Sequence, residues 1–145
     1  MVRVVIPALV PPSTRIDELI EALRGGPRPT AAPVDPDTAY SMCVVGDGGR
    51  IHDRAVLTAL DWSPGTRLRT RSTSTALLVV VPDRLGAAEV MAPGYFRVRV
   101  RRRREVALHV GDKVLLVGYP RHQLLAIHPP SSLHAHFGDH RHLEP

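Results

Sequence analysis

Apolar and polar positions alternate most cleanly just after Tyr95, where the order runs Phe96, Arg97, Val98, Arg99, Val100, Arg101. An extended strand turns this period of two into two faces, with Phe96, Val98 and Val100 on one and Arg97, Arg99 and Arg101 on the other. The expected product is an apolar underside beneath a row of guanidiniums, entered through the turn signal Ala92-Pro93-Gly94. A helical period governs the start of the chain. Ile16, Leu19, Ile20 and Leu23 share one face, Thr14 can cap the helix start, Asp17 and Glu18 suit the positive end of the dipole, and Arg24-Gly25-Gly26 closes the segment. This predicts an amphipathic helix over residues 14–24. Four prolines in residues 27–38 then read as a linker, with a boundary near residue 40.

Beyond that boundary the pattern repeats. Met42 to Ile51 reads as strand, glycine turn, strand, and Ala87 to Phe96 reads the same way, so that each is a hairpin candidate. The first leads into a helix-compatible segment from Asp53 to Leu60, the second into another from Arg101 to Val106. A glycine step follows each, at Gly65 and at Gly111. Both copies then end on apolar strands, Ala76 to Val81 and Leu124 to Ile127. The repeats span about 42–83 and 87–130, and they share residue types and order more than residue identity.

Charge sharpens the picture because it is uneven. Residues 1–40 carry four arginines against five carboxylates, whereas residues 95–122 carry eight basic groups against two acidic ones. Lys113 is the single lysine among the 19 Lys and Arg residues, and Arg is the better residue for forked hydrogen bonds to phosphate or guanine. With 145 residues, 43% of them apolar, the chain can build a core and is not disordered by composition. One cysteine, Cys43, permits neither an internal disulfide nor a multi-cysteine zinc site, and it reads as a small buried residue. No run approaches the roughly 20 apolar residues of a membrane span, and the first residues lack the length of a signal peptide, so a cytoplasmic location is expected, with no membrane partner.

The order hairpin, short helix, apolar-x-x-Gly-Asp-x-apolar strand resembles the AbrB/MazE/SpoVT family of DNA-binding domains. Gly49-Arg50-Ile51 is similar to the family's Gly-Arg-apolar strand entry, and Leu108-His109-Val110-Gly111-Asp112-Lys113-Val114-Leu115-Leu116 to its Gly-Asp-basic-Val-Leu strand. The resemblance implies a mainly β fold, a swapped-hairpin β-barrel made from two tandem repeats over residues 41–130, preceded by the N-terminal helix and linker of residues 1–40. It also implies that the two copies stand in for the two subunits of a homodimer. The family's DNA contacts come mainly from arginines on the first hairpin and the following helix start. By position these are Arg50 and Arg54 in the first copy, and Arg97, Arg99, Arg101, Arg103 and Arg104 in the second, with Arg102 of the same run as a further candidate. Two departures stand out. Arg54 and Arg99 or Val100 replace the proline that commonly opens the helix. Asp61 and Ala107 replace the glycine that follows it, where a left-handed backbone is needed; Asp tolerates that conformation and Ala does so poorly.

Other chemistry is less well supported by the residues. His128, His134, His136, His140 and His142 could converge on a transition metal, but no carboxylate or cysteine framework fixes their geometry, and residues 131–145 read as a flexible His-rich tail. His52-Asp53 beside Ser41 or Ser63 has no nucleophile-elbow context, and Asp47-Gly48-Gly49 lacks the Lys-Ser/Thr of a phosphate loop and reads as a hairpin turn. Arg67, Arg69 and Arg71 form a second basic row, either a continuation of the binding face or the outward side of a barrel strand. Tyr95 and Phe96 are too few for a single-strand stacking platform. The expectation is a non-enzymatic, sequence-specific double-stranded DNA-binding protein of bacterial type, a transcriptional regulator without cofactor or metal. The alternative is an antitoxin-like or adaptor protein that mainly binds a protein partner or a second copy, with the N-terminal helix as the contact.

Overall fold

The computed structural model describes residues 30–145 together with Ile20. The helix expected over residues 14–24 lies, apart from Ile20, outside the described residues. Residues 30–38 form neither helix nor strand. The compact unit Asp35–Pro145 opens on a turn, in which Asp37 N donates to Asp35 Oδ1 at 2.9 Å and Thr38 N to Asp35 O at 3.2 Å. It is mixed α/β and mainly β, an antiparallel six-stranded half-barrel sheet with a small two-stranded sheet.

The elements are β1 (Ala39–Val44), β2 (Arg50–His52), α1 (Arg54–Ala59), β3 (Arg67–Ser72) and β4 (Leu78–Pro82), then β5 (Ala88–Glu89), β6 (Tyr95–Arg97), α2 (Val100–Glu105), β7 (Lys113–Tyr119) and β8 (Leu124–His128), with α3 (Pro130–Phe137) following. The order strand, strand, helix, strand, strand therefore occurs twice, at the positions where the sequence pattern repeats. The large sheet runs β1-β7-β8-β4-β3-β5, and β2 pairs with β6 in the small one.

The pairing corrects the expected hairpins. Apart from single bridges at Gly46–Arg50 and Met91–Tyr95, the two strands of each supposed hairpin do not pair with each other. They pair across the halves: β1 with β7, β5 with β3 and β2 with β6. Only the β3–β4 and β7–β8 hairpins are internal to a half, and β4–β8 joins them. Exchanging the two halves leaves this scheme unchanged, a pseudo-two-fold relation that extends to single hydrogen bonds. Val45 N donates to Asp112 O at 2.9 Å and accepts at its carbonyl from Gly111 N at 2.8 Å; Val90 does the same with Thr66 O at 2.9 Å and Gly65 N at 2.8 Å. Burial explains the exchange, because Ile51 and Phe96 meet directly in the β2–β6 ladder and both are fully buried.

Backbone conformation repeats from the helix ends onward. Asp61 and Ala107 follow the two helices at φ 59° and 53°, Gly65 and Gly111 precede the next strands at 98° and 95°, and Ala76 and Gln123 sit in the last turns at 60° and 47°. Glycine is obligatory at Gly49 (φ 80°), where a Cβ would lie 2.2 Å from Val98 O, the residue whose N–H donates to Gly49 O at 2.9 Å.

The core is filled from both halves by Leu60, Leu68, Leu78, Phe96, Leu116 and Leu125, among others. Trp62 is buried with its Nε1 donating to Gln123 Oε1 at 2.9 Å, while Gln123 Nε2 donates to Leu60 O at 2.9 Å. Two expectations change. Val100 does not join Phe96 and Val98 on the buried face, because α2 begins there and rotates it outward to 48% exposure. Residues 131–145, expected as a flexible tail, begin inside α3, which packs on β7 and β8 with Ser132 buried. No helix among the described residues is long and apolar enough to cross a membrane.

Candidate nucleic-acid interface

The two-stranded sheet presents Ile51 and Phe96 inward and, by alternation, Arg50, His52, Tyr95 and Arg97 outward. Register makes Arg50 and Arg97 direct cross-strand partners. Both guanidiniums lie over the Tyr95 ring, at 4.6 Å for Arg50 and 5.3 Å for Arg97, and the His52 ring meets Tyr95 edge-on at 6.2 Å. Arg50 Nε is buried without a hydrogen-bond partner. Like charges set directly opposite in a ladder oppose pairing, by about 0.2–1 kcal/mol. An anion bound across the ribbon would reverse that term.

Arg99 and α2 extend this face. Arg99 is the N-cap of α2 without a capping hydrogen bond, and Arg102, Arg103 and Arg104 lie in the last turn, where cations suit the dipole. Arg97, Arg99, Arg101 and Arg102 line one groove together with Arg69 of β3. Arg102 is partly committed to Glu105, at 3.0 Å, and Glu105 also accepts from Ser72 Oγ at 2.7 Å. These contacts hold the Glu105 carboxyl below its ordinary range, the Ser72 hydrogen bond first and the Arg102 charge after it. Arg103 turns inward, its Nε donating to Val98 O at 3.0 Å beside Gly49. Arg104 is exposed.

Arg54 stands apart from this groove. It opens α1 and packs against the Gly94 turn, where a Cβ on Gly94 would lie 3.0 Å from Arg54 Cγ. Arg50, Arg54, Arg97, Arg99, Arg101 and Arg104 form no ion pair among the described residues, whereas Arg67 meets Glu89 at 3.9 Å and Arg69 meets Asp83 at 3.4 Å. The structure thus gathers Arg50 with Arg97, and Arg97 with Arg99, Arg101 and Arg102, and leaves Arg54 on another element.

Sequence reasoning missed Tyr95 and His52 as parts of this face, although the same period of two that selects Arg97 also selects Tyr95. It also left Arg69 undecided, since only the β3–β5 pairing brings that strand beside the α2 entry.

The remaining polar groups take local roles. Asp53 caps α1 by accepting from Val56 N at 2.9 Å, and it accepts a hydrogen bond from Ser41 Oγ. His52 bonds to neither residue and lies against Tyr95. Burial, and then the Asp53 charge, push the Cys43 thiol up to about 11. His128 Nδ1 and Ser132 Oγ are 3.3 Å apart, and His136 Nδ1 and Ser132 O 3.1 Å. Among the described residues no three His, Cys, Asp or Glu side chains are grouped to hold a metal ion. The chain matches no protein-family model, no curated protein and no solved structure.

Proposed function

We propose that the chain binds double-stranded DNA and acts as a transcriptional regulator of the bacterial type, by occupancy. The observation that carries this reading is the Arg50–Arg97 pair, two guanidiniums without a carboxylate partner held over Tyr95 on a two-stranded ribbon, Arg97 exposed and Arg50 half-buried. A ribbon of this width fits the major groove, where Arg reads guanine O6 and N7 with a forked pair of hydrogen bonds. Arg99, Arg101 and Arg104 on the flank are suited to phosphates, which fix position and dominate affinity. The half-exchanging strand pairing supports a swapped-hairpin barrel of the AbrB/MazE/SpoVT type, closed within one chain.

A second reading, a protein that mainly binds another protein, draws on β1. Tyr40, Met42 and Val44 are exposed along this edge strand at 67%, 54% and 54%. Co-purification with a stoichiometric small partner would support it.

The test is a duplex-binding titration at several salt concentrations with the full chain and with Arg97, Arg99 and Arg101 changed to Ala. The duplex reading expects affinity to fall steeply with salt, and the triple variant to flatten that dependence by about 0.9 in log–log slope per lost phosphate contact. A salt-independent signal, or no loss in the variant, rejects the face.

A further inference from the structure

We infer that one chain recognises an asymmetric duplex, because a backbone of pseudo-two-fold symmetry carries six arginines on β6, Arg99 and α2 against two on β2 and α1. This rests on the duplex reading above. The exchange that maps β2 onto β6 and α1 onto α2 allows the two halves to be compared position by position. Arg97 corresponds to His52, and the helix N-cap Arg99 to Asp53. Within the helices, Arg101 corresponds to Ala55 and Arg104 to Thr58. In the other direction, Arg50 corresponds to Tyr95 and Arg54 to Val100. Residues 50–59 thus hold two arginines and one carboxylate, against six arginines and one carboxylate over residues 95–105.

The difference is one of field as well as number. On the second half Arg97, Arg99 and Arg101 open into one groove with Arg69. On the first half the matching N-cap is the carboxylate of Asp53, held by Ser41 and by Val56 N and close enough to Cys43 to disfavour its thiolate. A phosphate is attracted more strongly to the α2 flank, whose N-cap is Arg99, than to the α1 flank, where the Asp53 carboxylate opposes Arg54. Symmetric protein dimers meet palindromic sites because each half-site sees the same side chains. Here the Ile51–Phe96 pair sits on the pseudo-axis, the Arg50–Arg97 pair reads bases just to its α2 side where the other side offers Tyr95 and His52, and only the α2 flank grips the backbone. The sequence requirement therefore falls on the centre and one flank, and one chain saturates the site.

The experiment is selection from a duplex library with a randomised central segment, using the full chain at low salt, followed by sedimentation of a retained duplex with the protein. The expected motif lacks dyad symmetry and binds one chain. Arg54→Ala is expected to cost at most about 5-fold in affinity, and the combined Arg99→Ala and Arg101→Ala change at least about 30-fold with a shallower salt dependence. A palindromic motif with equal half-sites, two chains per duplex, or an Arg54→Ala loss equal to that of the α2 flank overturns the inference and leaves the duplex reading standing. Retention of no duplex at low salt overturns both.

Discussion

Arg50 and Arg97 face each other directly across the β2–β6 ladder, and both guanidiniums rest on the ring of Tyr95. The ring offsets their repulsion, since each cation over an aromatic face gains about 0.5–1 kcal/mol at an exposed site. No carboxylate among the described residues completes the compensation. The pair is therefore held by an aromatic ring and not by counter-charge.

Arg97→Gln removes one of the opposed charges while keeping a long side chain. We expect the stability of the free protein to change by no more than about 0.5 kcal/mol, because the relieved repulsion and the lost contact with Tyr95 oppose each other, and duplex affinity to fall. Thermal unfolding at low salt and a duplex titration would measure both. Sulfate should raise the melting temperature of the parent more than that of the variant. A loss of more than about 1 kcal/mol in the variant at low salt would contradict the opposed-charge account.

Asp53 serves two neighbours with one carboxylate, capping α1 and raising the Cys43 thiol. Asp53→Ala is expected to cost about 1 kcal/mol through the lost cap. Asp53→Asn keeps a capping oxygen and removes the charge, so the thiol should fall from about 11 toward its ordinary 9.0 without reaching it, because burial is the larger cause. The pH dependence of thiol alkylation reports that change. In the parent, a raised thiol favours the protonated, folded form, so its contribution is complete below pH 9.0 and is lost as pH rises toward 11. Cys43→Ala should remove that part of the alkaline decline.

His128 lies below its ordinary value of 6.5, first through burial and then through the nearby His136, whose ring is 6.4 Å away. A depressed histidine folds best when neutral. Its contribution is present above pH 6.5 and is lost as pH falls through the lower folded value, which should loosen α3 from β8 in acid. NMR titration should give His128 a midpoint below 6.5, and His136→Ala should move it upward. An unshifted midpoint in the parent would contradict the packing of α3 on this residue.

Much of this architecture was legible because it rests on local signals. Asp53 marks the start of α1, Gly65 and Gly111 announce β3 and β7, and the alternation through Phe96 and Val98 gives the buried face of β6. Which strands pair was not legible. The Gly46–Arg50 and Met91–Tyr95 bridges look local, yet the ladders run between halves, because Ile51 and Phe96 bury each other and neither signals its partner in sequence. The alternation failed at Val100 for a related reason. A run of arginines is as compatible with helix as with strand, and the change from one period to the other falls inside it. Arg103 was chosen by its place in the resemblance, whereas its bond to Val98 O depends on the chain turning back over Gly49.

The left-handed residues after the two helices allow the repeat itself to be tested. Asp61 and Ala107 occupy the same place, at φ 59° and 53°, where an aspartate is tolerated and an alanine costs about 1–2 kcal/mol against glycine. Ala107 is exposed, so a substitution there disturbs little packing. Ala107→Gly should raise stability by about 0.5–1 kcal/mol, since part of the relief is returned as unfolded-chain entropy. Asp61→Gly should change it by only a few tenths. Denaturant unfolding of the two variants beside the parent measures the contrast. Equal effects at the two sites, or destabilisation by Ala107→Gly, would mean that Ala107 does not share the conformation of Asp61 and that the second half leaves its helix by a different turn.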